Sequence, residues 1–516
     1  GSGFDLPPLD CPVCGTPLTK DGHNIPFAVF LGFDGDKVPD IDLNFSGDYQ
    51  PTAHKYTEVL FGKMNVFRAG TIAGLQDKNA YGYAMHYYED LGETKGRPYI
   101  EHMMRGCMGV KATTGQHAGG IMVVPRDMDV HYFTPIQRPA NNMESDTLTT
   151  HFDYHSISER LVKLDILGHD DPTVIKMLEE LTHRDPETIP FDDPATMSIF
   201  TSTEALGITP EELGANMGTY GIPEFRTSFT QKMIDDSSPD CFADLVRISG
   251  FSHGTNVWLG NAQDLIKEGT STLKDAISAR DDIMNYLMQN GIEPLLSFKT
   301  MENVRKGRGI APDVVEKLRA GGIPEWYIDS CQKIKYLFPR AHATAYVMMG
   351  YRIAFCKVHY PLAYYAAYFS IRADEFDANI IAKGKTAVKA AIDALNAEAR
   401  EHRGKLDNKK QDILIVLQLA WEMYLRGFSC EPVDLYESDA EKFILHEKSL
   451  LPPFTALPGM GQKAAQAIAE ARKDGRFISI EDLATRAHVP APAIELLRAH
   501  GCLDGMMESN QVELFA

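Results

Sequence analysis

Two short apolar segments carry carboxylates at alternating positions, DIDLNF from Asp40 to Phe45 and KLDIL from Lys163 to Leu167. In a β-strand alternate residues share a face, so the pattern predicts that Asp40 and Asp42 project together, and that Lys163 and Asp165 do the same. Three carboxylates in one site repel unless divalent cations sit between them, and Mg²⁺ is held by a few hard oxygen ligands with room left for substrate phosphates. That layout fits two-metal nucleotidyl transfer, in which one ion activates an attacking hydroxyl and the other the leaving pyrophosphate, with Lys163 meeting the triphosphate. A lone Asp-x-Asp is commonly a turn or a solvated edge. The flanking Ile41, Leu43, Phe45, Leu164, Ile166 and Leu167 fit a solvated loop poorly.

Other segments carry binding chemistry. Near the carboxyl end, Leu457-Pro458-Gly459-Met460-Gly461 lies between two helical patterns, the signature of a helix-hairpin-helix. Gly459 and Gly461 let the backbone approach phosphate, and the next helix aims its free amides at the anion, which predicts duplex binding without sequence preference. The plain alternative is a Pro-Gly turn. Between Lys299 and Arg372, twelve Lys or Arg stand against five Asp or Glu and alternate with aromatics. Cations meet phosphates and aromatics stack on bases, yet Tyr351, Phe355 and Tyr364 fall at the spacing of helix core positions. His342, between Arg340 and a run of small residues, has the ordinary alternative of a structural histidine.

Two motifs are decoys. Gly384-Lys385-Thr386 resembles the end of a P-loop, but Asn379 stands where that motif needs glycine. Cys11 and Cys14 form one C-x-x-C, half of the four-ligand set of structural zinc, with only His23 nearby.

A chain of 516 residues exceeds one core and predicts two to four domains. The stretch to about Gln50 is rich in Gly, Pro and Asp. Helices are expected from Pro51 to about Gly106, then a polar glycine loop and a β-branched run from Val110 to Pro125, then the strand around Asp165. The connector from Asp185 to Thr196 marks a boundary. Beyond it the pattern is mainly helical to about Cys430, with a polar helical pair from Ala387 to Leu417, and a last unit of short helices from about Glu431. Composition is that of a globular protein, 44% hydrophobic and 24% charged, with a net charge of −20. No apolar run nears the roughly 20 residues a membrane span needs, and the amino terminus has no secretory layout, so a cytoplasmic protein with no membrane partner is expected. The eight cysteines do not form a disulfide framework.

With these motifs in place the chain resembles the carboxy-terminal part of the Gram-positive-type bacterial DNA polymerase III alpha subunits, the PolC type of the C-family replicative polymerases. The likeness runs through KVPDIDLNFSG, TTGQHAGGI, LVKLDILGHDDPT, TEALG, GTYGIPEF, SHGTNVW, PEWYIDSC, RAHATAYV, the helix-hairpin-helix and the terminal NQVELF. It implies an α+β architecture. A polymerase-β-like palm would span residues 1–50 and 107–185, incomplete and with the half zinc knuckle at 11–14. The palm would hold an inserted helical thumb at 51–106, and mainly α-helical fingers would follow at 186–430. A duplex-binding helix-hairpin-helix domain would take 431–505 and a clamp-binding tail 506–516. Asp40, Asp42 and Asp165 then correspond to the palm carboxylates that hold two Mg²⁺ ions, and Lys163, Arg280 and His342 to nucleotide-binding residues. Gln511, Leu514 and Phe515 resemble the terminal motif that docks on the sliding clamp. Zn²⁺ is implied only if upstream cysteines complete the Cys11 and Cys14 pair. Arg226 departs from the pattern, standing where glycine is expected.

The expected function is DNA-templated extension of a primer 3′ end with deoxynucleoside triphosphates in chromosome replication. Expected partners are primer-template DNA, the sliding clamp and other replisome subunits. The competing expectations are a noncatalytic DNA- and clamp-binding fragment that needs an upstream palm segment, and a metal-dependent nuclease. A nuclease degrades DNA without nucleotides, whereas Lys163 and the basic zone favour synthesis.

Overall fold

The computed structural model describes residues 1–35, 37–39, 41–138, 143–401 and 404–510. The chain divides into two compact units, one from Pro26 to Pro172 and one formed by Gly1–Ile25 with the chain from Thr173 onward.

The Pro26–Pro172 unit is built on a six-stranded mixed sheet. Its strands are β1 (Ile41–Ser46), β2 (Val66–Gly74), β3 (Lys111–Val123), β4 (Ile136–Gln137), β5 (Thr149–Asp153) and β6 (Val162–His169), in the order β1-β6-β3-β2-β5-β4. β1 runs parallel to β6, and β3 is antiparallel to both β6 and β2. Alternation along the strands divides two cores. Ile121 and Ile166 face the helix Gln50–Phe61 with its Ala53 and draw in Phe45 and Leu164, whereas Phe67, Ala69, Met122 and Val124 belong to a second cluster with Val130, Ile157 and Leu161. Gln50, at the start of that helix, donates from Nε2 to the Ile166 carbonyl at 2.7 Å. The helix thus grips the β6 backbone as well as its side chains.

Two expectations need correction here. The stretch expected to be helical over residues 51–106 contains β2 between the helix Gln50–Phe61 and the pair Asp77–Asp90 and Arg97–Cys107. The polar glycine loop expected before the β-branched run is instead the first part of β3. Both errors have one cause, glycines within strands. A Cβ on Gly70 would fall 2.0 Å from the Thr150 carbonyl oxygen, so neighbouring backbone rather than a turn demands glycine there.

The second unit is mainly helical, as expected beyond the connector. The long helix Arg340–His359 and the following Pro361–Ile371 carry Tyr351, Phe355 and Tyr364 inward, where all three are buried. Phe191 packs against Phe4, Phe242 and Tyr351 with ring centroids 4.6, 4.9 and 5.6 Å away, which sews the amino-terminal segment to this core. Helices Lys385–Glu401 and Asn408–Leu425 form the expected pair. Toward the carboxyl end a small sheet of β7 (Ser429–Cys430), β8 (Ile444–Leu445) and β9 (Ser449–Leu451), unforeseen because its strands are so short, precedes helices Gln462–Ala471, Ile480–Ala487 and Ala491–His500.

Much of the basic zone is neutralised inside this unit. Arg305 pairs with Glu302, Arg319 with Glu316 and Glu325, and Arg340 with Asp282. Lys357 is fully buried. Its ammonium donates to the carbonyls of Gly218 (2.8 Å) and Tyr220 (2.7 Å) and to Glu422 Oε2 (2.9 Å), while Tyr365 Oη donates to Glu422 Oε1 at 2.6 Å. Burial brings Lys357 down to about 8, and the Glu422 charge opposes that shift. Removing one member of such a pair strands a buried charge at a cost of about 3–5 kcal/mol. Lys357→Met should therefore lower unfolding free energy by about that amount in denaturant titrations, and Lys357→Met with Glu422→Leu should recover most of it. A single variant as stable as the double would contradict this reading of the network.

Candidate functional site

The parallel pairing of β1 with β6 sets Asp42 directly beside Asp165 as register partners, and on the other side of β6 Gly120 is the partner of Asp165 and Met122 of Lys163. In-register neighbours project to one face. That face lies opposite the helix Gln50–Phe61, which packs on Ile121 and Ile166. Asp42 is exposed and Asp165 is buried. Asp40 lies outside the described residues.

The two oxygens of Asp165 have different surroundings. Oδ2 pairs with Lys163 Nζ at 2.8 Å, and that ammonium lies 4.5 Å from the centre of the Tyr154 ring. Oδ1 is buried without a hydrogen-bond partner, although His117 Nδ1 lies 3.5 Å away. The Gly120 amide explains this, because it donates to His117 Nδ1 at 2.8 Å. The ring then carries its proton on Nε2, and Nδ1, whose lone pair accepts from the Gly120 amide, has no proton to offer Asp165. Leaving a buried carboxylate oxygen without a donor costs about 1–3 kcal/mol or more. A hard cation compensates that cost, so the donor set fits Mg²⁺. Sequence reasoning missed His117 and Tyr154, whose rings meet edge to face at 5.2 Å. The signal for His117 was its place in GQHAGG, three residues from Gly120, the glycine beside Asp165.

Arg280 and His342 belong to the other unit, and each contacts Phe338. Arg280 opens the helix Arg280–Gln289, and its backbone N–H donates to the Phe338 carbonyl at 3.2 Å. The Phe338 ring meets His342 edge-on at 4.7 Å and stacks on His253 at 4.6 Å, while His342 stacks on Tyr346 at 4.5 Å. Asp281 Oδ2 accepts from the Arg340 amide at 3.0 Å, which ties the start of one helix to the start of the other.

At the hairpin, Gly461 caps the helix Gln462–Ala471 and Gly459 has φ +93°, a left-handed conformation that favours glycine. Pro458, Gly459, Gly461, Gln462 and Lys463 are exposed, while Met460 and Leu457 turn inward. The Cys11 amide donates to Thr16 O and the Gly15 amide to Cys11 O, a tight hairpin around the C-x-x-C. Hydrogen bonds from Thr16, then the Cys11 side chain, lower the Cys14 thiol to about 7. Among the described residues no cluster of three or more ligating side chains includes Cys11 or Cys14. Arg226 lies against Tyr368. Gln511, Leu514 and Phe515 lie outside the described residues.

The close packing around Gly120 on the carboxylate face yields a test. A Cβ on Gly120 would lie 2.8 Å from Ala69 Cβ and 2.9 Å from His117 Nδ1, whereas one on Gly115 would meet only the Thr71 hydroxyl, at 3.0 Å. Gly120→Ala should destabilise by about 1–3 kcal/mol, the scale of overpacking, and Gly115→Ala by clearly less. Equal thermal shifts would contradict the packing described.

Residues 12–95 and 84–168 match the family model for the bacterial DNA polymerase III alpha NTPase domain, residues 171–322 that for the alpha subunit finger domain, and residues 427–512 a helix-hairpin-helix motif. Curated proteins named DNA polymerase III PolC-type are similar over all of this chain. Those of Caldanaerobacter subterraneus subsp. tengcongensis, Clostridium perfringens and Bacillus subtilis are 56%, 55% and 55% identical to it. The matched region is 36%, 35% and 36% of their respective lengths, so the chain spans about a third of these relatives. On these matches the chain belongs to the bacterial DNA polymerase III family of the PolC type.

Proposed function

We propose that this chain forms the core of a DNA-templated DNA polymerase, adding deoxynucleotides to a primer 3′ end. The observation that supports it most is the pairing of Asp42 with Asp165 beside Lys163, with one buried Asp165 oxygen left without a donor. Asp42 and Asp165, together with Asp40, would hold Mg²⁺. When bound, two such ions activate the primer hydroxyl and stabilise the leaving pyrophosphate. Lys163 adds positive charge where the triphosphate gains negative charge, and its pairing with Asp165 fixes the ammonium there beforehand. Arg280 and His342, carried on the turn at Phe338, are assigned to the incoming nucleotide, with the aromatic stack giving them a rigid seat.

In this reading the Pro26–Pro172 sheet is the palm, its helix pair Asp77–Asp90 and Arg97–Cys107 the thumb, and the helical unit the fingers followed by the duplex-binding domain. The exposed hairpin at Gly459 and Gly461 meets duplex phosphates, and Gln511, Leu514 and Phe515 dock on a sliding clamp. Cys11 and Cys14 take Zn²⁺ only where further cysteines are supplied. The setting is the replisome in the cytoplasm. Among the described residues, no helix is long and apolar enough to cross a membrane.

Because the chain spans about a third of its relatives, a second reading is a DNA- and clamp-binding fragment that needs more of the polymerase for chemistry. Primer extension separates the two, run with this chain alone and with the remaining polymerase segments supplied. Extension should require Mg²⁺ and fall on the order of 10²-fold or more in Asp165→Asn, the scale of losing a principal electrostatic stabiliser. Full extension by that variant, or DNA degradation without nucleotides, would overturn the proposal.

Hairpin binding has its own check. Duplex affinity should fall steeply with salt, since phosphate contacts release counterions. Replacing Gly459 and Gly461 with valine should weaken all duplex sequences alike. Unchanged affinity, or a new sequence preference, would remove the hairpin from DNA binding.

A further inference from the structure

The turn that opens the helix Phe242–His253 gathers Asp240, Cys241 and Asp244, whose potential ligand atoms all lie within 4.8 Å of one another. Acidic groups crowd a helix start for ordinary reasons, chiefly to accept its free amides. Asp5 already does that here, accepting from the amides of Phe242 at 2.9 Å and Ala243 at 3.0 Å. Its carboxylate also adds negative charge beside the cluster.

Asp244 carries the independent signal. It is only 3% exposed, its Oδ2 accepts from the Asp240 amide at 3.4 Å, and its carboxyl also interacts with the Asp240 side chain. Its Oδ1 is buried without a hydrogen-bond partner. The nearby cations do not fill that need. Lys274 Nζ reaches no closer than 4.0 Å to Asp240, with both ends exposed, and the Arg247 guanidinium donates to Ala276 O and pairs with Asp282. Burial pushes the Cys241 thiol up to about 12 and raises Asp244, whereas a hydrogen bond with the Cys241 side chain holds Asp240 below the usual carboxylate range.

We propose that Asp240, Cys241 and Asp244 form a divalent-cation site that takes Zn²⁺ in preference to Mg²⁺. A thiolate with two carboxylates suits a borderline-soft ion, whereas Mg²⁺ takes oxygen in a near-octahedral shell. Tetrahedral Zn²⁺ places its ligand atoms roughly 3.5 Å apart, so the three side chains need only close inward. Three protein ligands leave the fourth position to water, and exposed Asp240 faces the path by which the ion enters. The ion would pin the turn to the first turn of a helix in the helical unit. Neither Cys11 nor Cys14 takes part, and the site does not depend on the proposed polymerase chemistry.

Cobalt titration of the full chain carrying Cys11→Ser and Cys14→Ser tests this, with Co²⁺ as the spectroscopic probe for Zn²⁺. One Co²⁺ per chain should bind with a thiolate-to-metal charge-transfer band that Zn²⁺ displaces and excess Mg²⁺ does not. Cys241→Ser should abolish the band, and Asp244→Asn should weaken binding roughly tenfold or more. If Asp244→Asn fails to fold, Asp240→Asn at the exposed position should weaken binding while the circular dichroism stays that of the parent. No charge-transfer band in the parent, a band that survives Cys241→Ser, or undiminished affinity in a folded Asp240→Asn or Asp244→Asn variant would overturn the proposal.

Discussion

The in-register pairing of Asp42 with Asp165 across β1 and β6 is the constraint on which the Pro26–Pro172 unit is arranged. Hydrogen bonding between parallel strands brings two like charges onto one face, an arrangement that opposes folding until a cation or a basic side chain intervenes. The surrounding structure holds the pair together from both faces of the sheet. On the back face Ile121 and Ile166 anchor the helix Gln50–Phe61, and Gln50 holds the Ile166 carbonyl. On the front, Lys163 answers one Asp165 oxygen, while His117 Nδ1, already accepting from the Gly120 amide, offers no proton to the other. A donor at that position would quench the site; the Gly120 amide fixes the histidine so that it cannot be one.

The helical unit treats charge in the opposite way. Lys357 and Glu422 are buried together with every ammonium proton assigned to an acceptor, and Arg340 is buried against Asp282 and the Asn24 carbonyl. These pairs order the segments they join, whereas Asp165 Oδ1 and Asp244 Oδ1 stay without partners.

The sequence made some of this legible through periodicity. The alternation in DIDLNF and KLDIL announced the strands that carry Asp42 and Asp165, and helical spacing placed Tyr351, Phe355 and Tyr364 in the core, where they lie. Glycines misled the reading of β2 and β3. At Gly70, Gly119 and Gly120 glycine is required by neighbouring chain or side-chain atoms that leave no room for a Cβ, and in a single sequence that requirement looks like a loop. The excess of positive charge from Lys299 to Arg372 overstated the charge available to phosphate, because its carboxylate partners lie partly outside that window, as Asp282 and Glu422 do. Tyr154 reaches Lys163 and His117 only through tertiary placement that no local pattern encodes.

Anomalous diffraction from crystals grown with Mn²⁺, primer-template DNA and a nonhydrolysable nucleotide tests the central claim most directly, with further polymerase segments included if the chain requires them to bind DNA. The account predicts manganese peaks in coordination distance of Asp165 Oδ1 and Asp42, with His117 still accepting from the Gly120 amide. An Asp165 Oδ1 bonded to a protein donor, with manganese absent from the β1–β6 face, would contradict it.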